Sequence, residues 1–146
     1  MIMVVAAVIE RPDRRILIGQ RRSDDTSPLK WEFPGGKVNS GETLPQALAR
    51  ELREELGVTL TKSCEIASVR HRYASTPEEL EIHFFAAEFA ETDVTPIIYE
   101  EIAWVLPKDL AQYDFLSANR PLIAQLATGR IKPAEFLVSP DESSNT

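Results

Sequence analysis

The stretch GKVNSGETLPQALARELREELGV, residues 36–58, decides how the rest of the chain is read. Its helix is marked at both ends. Thr43 followed three residues later by Gln46 forms a capping box, Pro45 is tolerated in a first turn, and Gly57 supplies the stop. Leu48, Leu52 and Leu56 recur at one-turn spacing and predict the buried stripe. At about 100° per residue, Glu54 and Glu55 lie roughly 60° and 40° to either side of Glu51, so three carboxylates share one face. Ala47, one turn earlier, is expected to leave space above them. Like charges four residues apart oppose a helix by about 0.2–0.5 kcal/mol, and acids near its C-terminus oppose the macrodipole. Arg50 and Arg53 can offset this by pairing, which would make the face merely solvated. A ligand site is the other reading, and spacing alone does not choose.

Working outward, Pro34-Gly35-Gly36 ends a short extended segment, Trp31 to Phe33, and is expected to bend sharply. A backbone without side chains there lets a ligand come close, and Lys37 and Glu42 add charge at the helix mouth. Upstream, residues 2–9 are a β-branched apolar run and 16–22 alternate, predicting two strands joined as a hairpin. Downstream, 62–73 and 79–90 predict two strands around a Ser75-Thr76-Pro77 turn. A loop at 91–98, a strand at 101–106, a short helix from Pro107 to Tyr113 and a last helix from Pro121 to Thr128 follow. The domain is expected to span 1–132, with 133–146 a tail that ends in the mobile PDESSNT.

The 146 residues, 43 % of them hydrophobic, suit one domain with a real core. No apolar run reaches the roughly 20 residues of a membrane span, and the N-terminus lacks the basic region of a signal peptide. One cysteine, Cys64, excludes an internal disulfide, and with only His71 and His83 beside it a zinc cluster is not expected. These features point to a cytoplasmic protein without a membrane partner. A net charge of −7 argues against binding nucleic acid through its backbone. A polyphosphate is still compatible with acidic side chains if divalent cations lie between them. Oligomeric state is left open.

Residues 36–58 also resemble the Nudix box: Gly36, five residues, Glu42, seven residues, then Arg50-Glu51-Leu52-Arg53-Glu54-Glu55-Leu56-Gly57-Val58, with no departure from its pattern. The resemblance implies an α/β fold, the Nudix α/β/α sandwich with a mixed central sheet and a catalytic loop-helix. It implies that Glu51, Glu54 and Glu55 bind a divalent metal, Mg²⁺ with Mn²⁺ as a substitute, helped by the Gly35 carbonyl. Arg50 would orient Glu51, Glu42 would support the loop, and Lys37 and Gly36 would lie near the substrate phosphates. Metal-assisted attack of water on phosphorus also needs a proton acceptor; Glu51, Glu100 and Glu101 are the candidates.

Within that family the chain looks like the MutT type, which converts a nucleoside triphosphate to monophosphate and pyrophosphate. WEFPGGK (31–37), the pair Arg21-Arg22 and the stretch Phe115 to Ile123 carry the likeness. It implies a phosphate role for Arg22 and a base-reading role for Asn119, whose amide both donates and accepts; N-capping ahead of Pro121 is the plainer reading. Tyr73 is a candidate for stacking on the base, whereas Trp31 and Phe33 read as core. Glu78 and Glu79 stand near where guanine-selective relatives place an arginine, so CTP and an oxidised purine dNTP both stay open. The alternatives are a nucleoside diphosphate sugar or ADP-ribose hydrolase and a non-catalytic nucleotide sensor.

Overall fold

The structure, a computed structural model, describes residues 1–74 and 77–138. Ser75, Thr76 and the PDESSNT end of the expected tail fall outside the described residues. Strands β1 (Ile2–Ile9), β2 (Ile16–Gln20), β3 (Trp31–Glu32) and β4 (Gly35–Lys37) precede helix α1 (Leu44–Leu56). Strands β5 (Leu60–His71), β6 (Leu80–Phe89) and β7 (Glu101–Val105) follow, and then helix α2 (Arg120–Ala127). The predicted short helix is a 3₁₀ turn at Pro107–Gln112, and further 3₁₀ turns occupy Ser117–Asn119 and Pro133–Phe136.

The strands form two sheets. A mixed one runs β4-β1-β6-β5 and a smaller one β3-β2-β7. β1 pairs in parallel with β6 and antiparallel with β4. Both its edges are therefore taken, which corrects the expected β1–β2 hairpin. Among the described residues a single bridge, Glu10 with Ile16, joins the end of one to the start of the other before β2 departs to pair with β3 and β7.

An apolar run without alternation signals burial on both faces, and β1 has it. Ala6 and Val8 join a core with Ile16, Ile18, Phe84 and α2's Leu122 and Leu126. Val5, Ala7 and Ile9 join another with Leu17 and α1's Leu48, Leu52 and Leu56. One helix thus covers each side of the sheets, giving the α/β/α arrangement. Ala47, expected to leave room above the acids, is instead fully buried in the second core. Beyond 132, Pro133 is buried and the Ala134 backbone hydrogen-bonds Glu10, so the chain is still packed where a tail was expected to begin.

Pro34 marks a crossing between sheets rather than a turn. Trp31–Glu32 belongs to the small sheet, while Gly35 already pairs with Ala6 in the large one. Neither Gly35 nor Gly36 has positive φ and both are extended within β4, so the expected bend falls at Pro34 and not on the glycines. Their lack of side chain serves close approach. A Cβ on Gly35 would collide with the Val5 carbonyl, and one on Gly36 would fall 2.5 Å from Glu51 Oε2.

Candidate active site

α1 begins as its sequence dictates. Gln46 N–H donates to Thr43 Oγ1 at 3.2 Å, and the Gln46 amide oxygen accepts from Thr43 N–H at 2.9 Å. Gly57 closes the helix in the left-handed region at φ 66°, its N–H on the Arg53 carbonyl. The carbonyls of Glu55 and Leu56 accept from Ile97 and Thr95 N–H, which ties the loop before β7 to the helix end.

Arg50 organises the acidic face. Its guanidinium donates to Glu42 at 2.7 and 3.0 Å, to Glu51 at 2.9 Å, to Glu54 at 3.3 Å and to the Lys37 carbonyl at 2.9 Å. Its hydrogen bonds to Glu42 and Glu51 push the Arg50 pKa up further, and Arg50 in turn holds Glu42 below the usual carboxylate range. Glu42 also accepts from Asn39 N–H at 2.8 Å and so stiffens the loop into α1.

The three glutamates have different surroundings. The Glu51 carboxylate lies against Gly36. Glu54 is 58 % exposed on the outer side. Glu55 is buried, and its Oε1 accepts both from Gly35 N–H at 3.0 Å and from Tyr99 O–H at 2.9 Å. Burial pushes the Glu55 carboxyl up to about 8, the hydrogen bonds from Tyr99 and Gly35 oppose this, and nearby Glu32 and Glu51 add repulsion. Among the described residues no three such side chains converge on one point; Glu51 is drawn to Arg50 and Glu55 to Gly35 and Tyr99.

A cleft of about 550 Å³ opens beside Gly35, Gly36, Lys37 and Glu55. Arg21, Glu32, Phe33, Tyr73, Leu116 and Asn119 line it as well. That volume lies within the range of small-molecule sites. Asn119 is 5 % exposed, and its side chain makes no capping hydrogen bond although it stands at the N-cap of α2. The capping reading therefore fails, and the amide is left to the cleft. Tyr73 O–H accepts from Ala118 N–H at 3.3 Å, which props the turn carrying Asn119. Phe33 is core at 2 % exposure, and Trp31 packs edge-on against Tyr113.

Two placements differ from expectation. Arg22 does not line the cleft; it is 55 % exposed and sits 3.6 Å from Asp24. Arg21 does line it, because Thr26 and Glu32 hold its guanidinium inward: Nε donates to the Thr26 carbonyl at 2.7 Å and Nη1 to Glu32 at 3.2 Å. Glu100 and Glu101 are exposed and absent from the cleft lining. Glu100 N–H is spent on the Gln20 carbonyl and Glu101 pairs with Gln20 as β7 starts, so the inward residue of this loop is Tyr99.

Glu32 and Tyr99 were missed from sequence. Burial pushes Glu32 up to about 7 against the pull of Arg21. An acid between Trp31 and Phe33 just ahead of Pro34 was a signal for it; an aromatic closing the apolar Ile97-Ile98-Tyr99 run within a loop was one for Tyr99.

With this geometry established, comparison with known proteins places the chain. Residues 2–126 match the model of the NUDIX domain. The chain belongs to that family, in its MutT-like branch. It is 36 % identical to "CTP pyrophosphohydrolase" of Escherichia coli K12 over 92 % of this chain and 98 % of that one. It is 30 % identical to "8-oxo-dGTP diphosphatase" of the same organism over 86 % and 95 %. Among solved structures, the solution structure of the E. coli ORF135 protein superposes with TM-score 0.77 at 35 % identity, covering 89 % of this chain and 91 % of that one. A MutT structure from a study of the Aliivibrio salmonicida and Vibrio cholerae enzymes gives 0.74 at 33 % identity, covering 88 % and 98 %.

Proposed function

We propose that the chain hydrolyses a pyrimidine nucleoside triphosphate of the CTP kind, giving the monophosphate and pyrophosphate with Mg²⁺ as cofactor. One observation carries this reading: a cleft of nucleotide size is lined both by Gly35, Lys37 and Glu55 of the loop-helix and by Asn119, whose amide makes no capping hydrogen bond. The CTP pyrophosphohydrolase relative, matched over nearly its whole length, supports it.

Glu51, Glu54 and Glu55, with the Gly35 carbonyl, are hard oxygen donors of the kind Mg²⁺ and Mn²⁺ take. The fit rests on a buried carboxylate, Glu55, crowded by Glu32 and Glu51 and without a cationic partner among the described residues. A bound divalent ion would neutralise phosphate oxygens and make a coordinated water more acidic.

The chain's own residues do the rest. Arg50 fixes Glu51 beside Gly36, and Glu42 fixes Arg50. Lys37 and Arg21 present positive charge along the cleft to the phosphates. Of the three acids considered, Glu51 alone belongs to the loop-helix, where Arg50 holds it against Gly36 of the cleft lining, and it is taken as the proton acceptor. Water adds to phosphorus, the anhydride P–O bond breaks, and pyrophosphate leaves. The Asn119 amide pairs with a base edge bearing an adjacent donor and acceptor, as cytosine N4–H and N3 do. An oxidised guanine also offers such an edge; the likeness to 8-oxo-dGTP diphosphatase keeps it as the second reading.

The test is turnover of CTP, dCTP, 8-oxo-dGTP, UTP and ADP-ribose with Mg²⁺, products separated by chromatography. Monophosphate with equimolar pyrophosphate, fastest from a cytidine triphosphate, is expected. Turnover of ADP-ribose alone overturns the reading in favour of a dinucleotide hydrolase, and tight binding without turnover would make the protein a sensor.

A further inference from the structure

We infer that Tyr99 is a positioning residue for the metal-binding machinery, selecting which oxygen of Glu55 is open to a cation. This rests on the metal role proposed for Glu55 above. Two donors converge on a single oxygen: Gly35 N–H at 3.0 Å and Tyr99 O–H at 2.9 Å both point at Oε1. With two hydrogen bonds Oε1 has no lone pair to spare, and Oε2 is left as the ligating atom. Gly35 alone leaves the carboxylate free to rotate about its last bond. The second donor, arriving from a different strand connection, fixes the plane.

The phenol is itself firmly held. Tyr99 is 7 % exposed, and its ring lies so close over Gly19 that a Cβ there would come within 2.6 Å of two ring carbons. Two residues before it, Ile97 N–H donates to the Glu55 carbonyl at 3.0 Å, so the loop is anchored to the same residue at backbone and side chain. Hydrogen bonds that orient a metal ligand characteristically influence affinity by about 10- to 100-fold.

The experiment is Mn²⁺ binding to the intact protein without nucleotide, followed by loss of the free-ion EPR signal, for the parent, Tyr99→Phe and Gly19→Ala. The first variant removes the hydroxyl; the second displaces the ring and leaves the hydroxyl in place. Both are expected to weaken Mn²⁺ binding by about tenfold or more. In steady-state assays Tyr99→Phe should need correspondingly more Mg²⁺ for half-maximal rate, with the nucleotide KM unchanged at saturating metal. A parent-like Mn²⁺ affinity in Tyr99→Phe, its thermal unfolding being cooperative, overturns the inference. So does a Tyr99→Phe defect that saturating Mg²⁺ does not repair, since the phenol would then act on substrate directly. Absence of Mn²⁺ binding by the parent itself would instead sink the metal role of Glu55, which is a different failure.

Discussion

Replacing Gly36 by alanine adds one methyl group where the structure has no room for it. The new Cβ would lie 2.5 and 2.6 Å from the two Glu51 carboxylate oxygens, against a contact distance above 3 Å. Strand β4 is pinned by its pairing with β1, where Gly36 stands opposite Val5, so the backbone cannot retreat. The Glu51 carboxylate must give way by about 1 Å, and in doing so it leaves the Arg50 guanidinium now 2.9 Å away. A displacement of that size in a positioned catalytic group lowers rate by about 100-fold, or about 2.7 kcal/mol of transition-state stabilisation. Gly41→Ala is the matched control. Gly41 has φ +85° and nothing within 4 Å of its would-be Cβ, so that variant strains the backbone without touching the acids. The assay is kcat/KM for the nucleoside triphosphate at saturating Mg²⁺, alongside thermal unfolding. Gly36→Ala should be severely impaired yet folded, and Gly41→Ala less stable yet active. Gly36→Ala within threefold of the parent would refute the claim that Glu51 must sit where it does.

Glu54→Gln should lower kcat at least tenfold while hardly moving the melting temperature, because its side chain is 58 % exposed and packs against little; a large thermal shift would mark it as structural instead. Asn119→Ala should raise KM for the cytidine triphosphate and flatten discrimination among bases with kcat little changed, which a panel of triphosphates measures directly. Leu52→Ala empties a fully buried position under α1 and should reduce unfolding free energy by about 2–5 kcal/mol in a urea titration. For His83, burial lowers the pKa, but hydrogen bonds from its ring nitrogens to Glu65 at 2.7 Å and Glu81 at 3.2 Å outweigh it and the net shift is upward. Its stabilisation is therefore complete below the unfolded value near 6.5 and lost as pH rises through the higher folded value. His83→Gln should then narrow the stability gap between pH 6 and pH 9, as read from melting curves; equal losses at both values would show that the charge is not what matters.

What was legible in the sequence was mainly local. The capping box, the leucine stripe and the glycine stop all act within a few residues, and α1 occupies Leu44–Leu56 with Thr43 and Gly57 at its ends, as they require. The spacing of Glu42, Arg50, Glu51, Glu54 and Glu55 was equally readable, since one helix and its entry loop bring them together. Pairing between distant strands was not. Nothing in residues 2–9 says that their partner is 80–89 rather than 16–20, and the hairpin expectation failed there. The sidedness of the Arg21-Arg22 pair failed for a related reason: what turns Arg21 inward is Thr26 and Glu32, one in a loop and one in the next strand.

The same distinction explains why the acids alone underdetermine the site. On an isolated helix Glu55 borders the leucine stripe and Glu54 lies farthest from it, but nothing there fixes a partner for any of the three acids. The fold supplies the partners: Gly36 meets Glu51, solvent meets Glu54, and Gly35 with Tyr99 meets Glu55. The partners that make this difference come from β4 and from the loop before β7, and β1 links the two by pairing with β4 on one edge and with β6, upstream of that loop, on the other. A chemical asymmetry among three identical side chains is thus produced by strand pairing. Moving β4 by one residue along β1 would place Lys37 where Gly36 now meets Glu51, and the carboxylate would have no space. On the roles proposed for the glutamates, register in that short strand consequently matters to activity as much as they do.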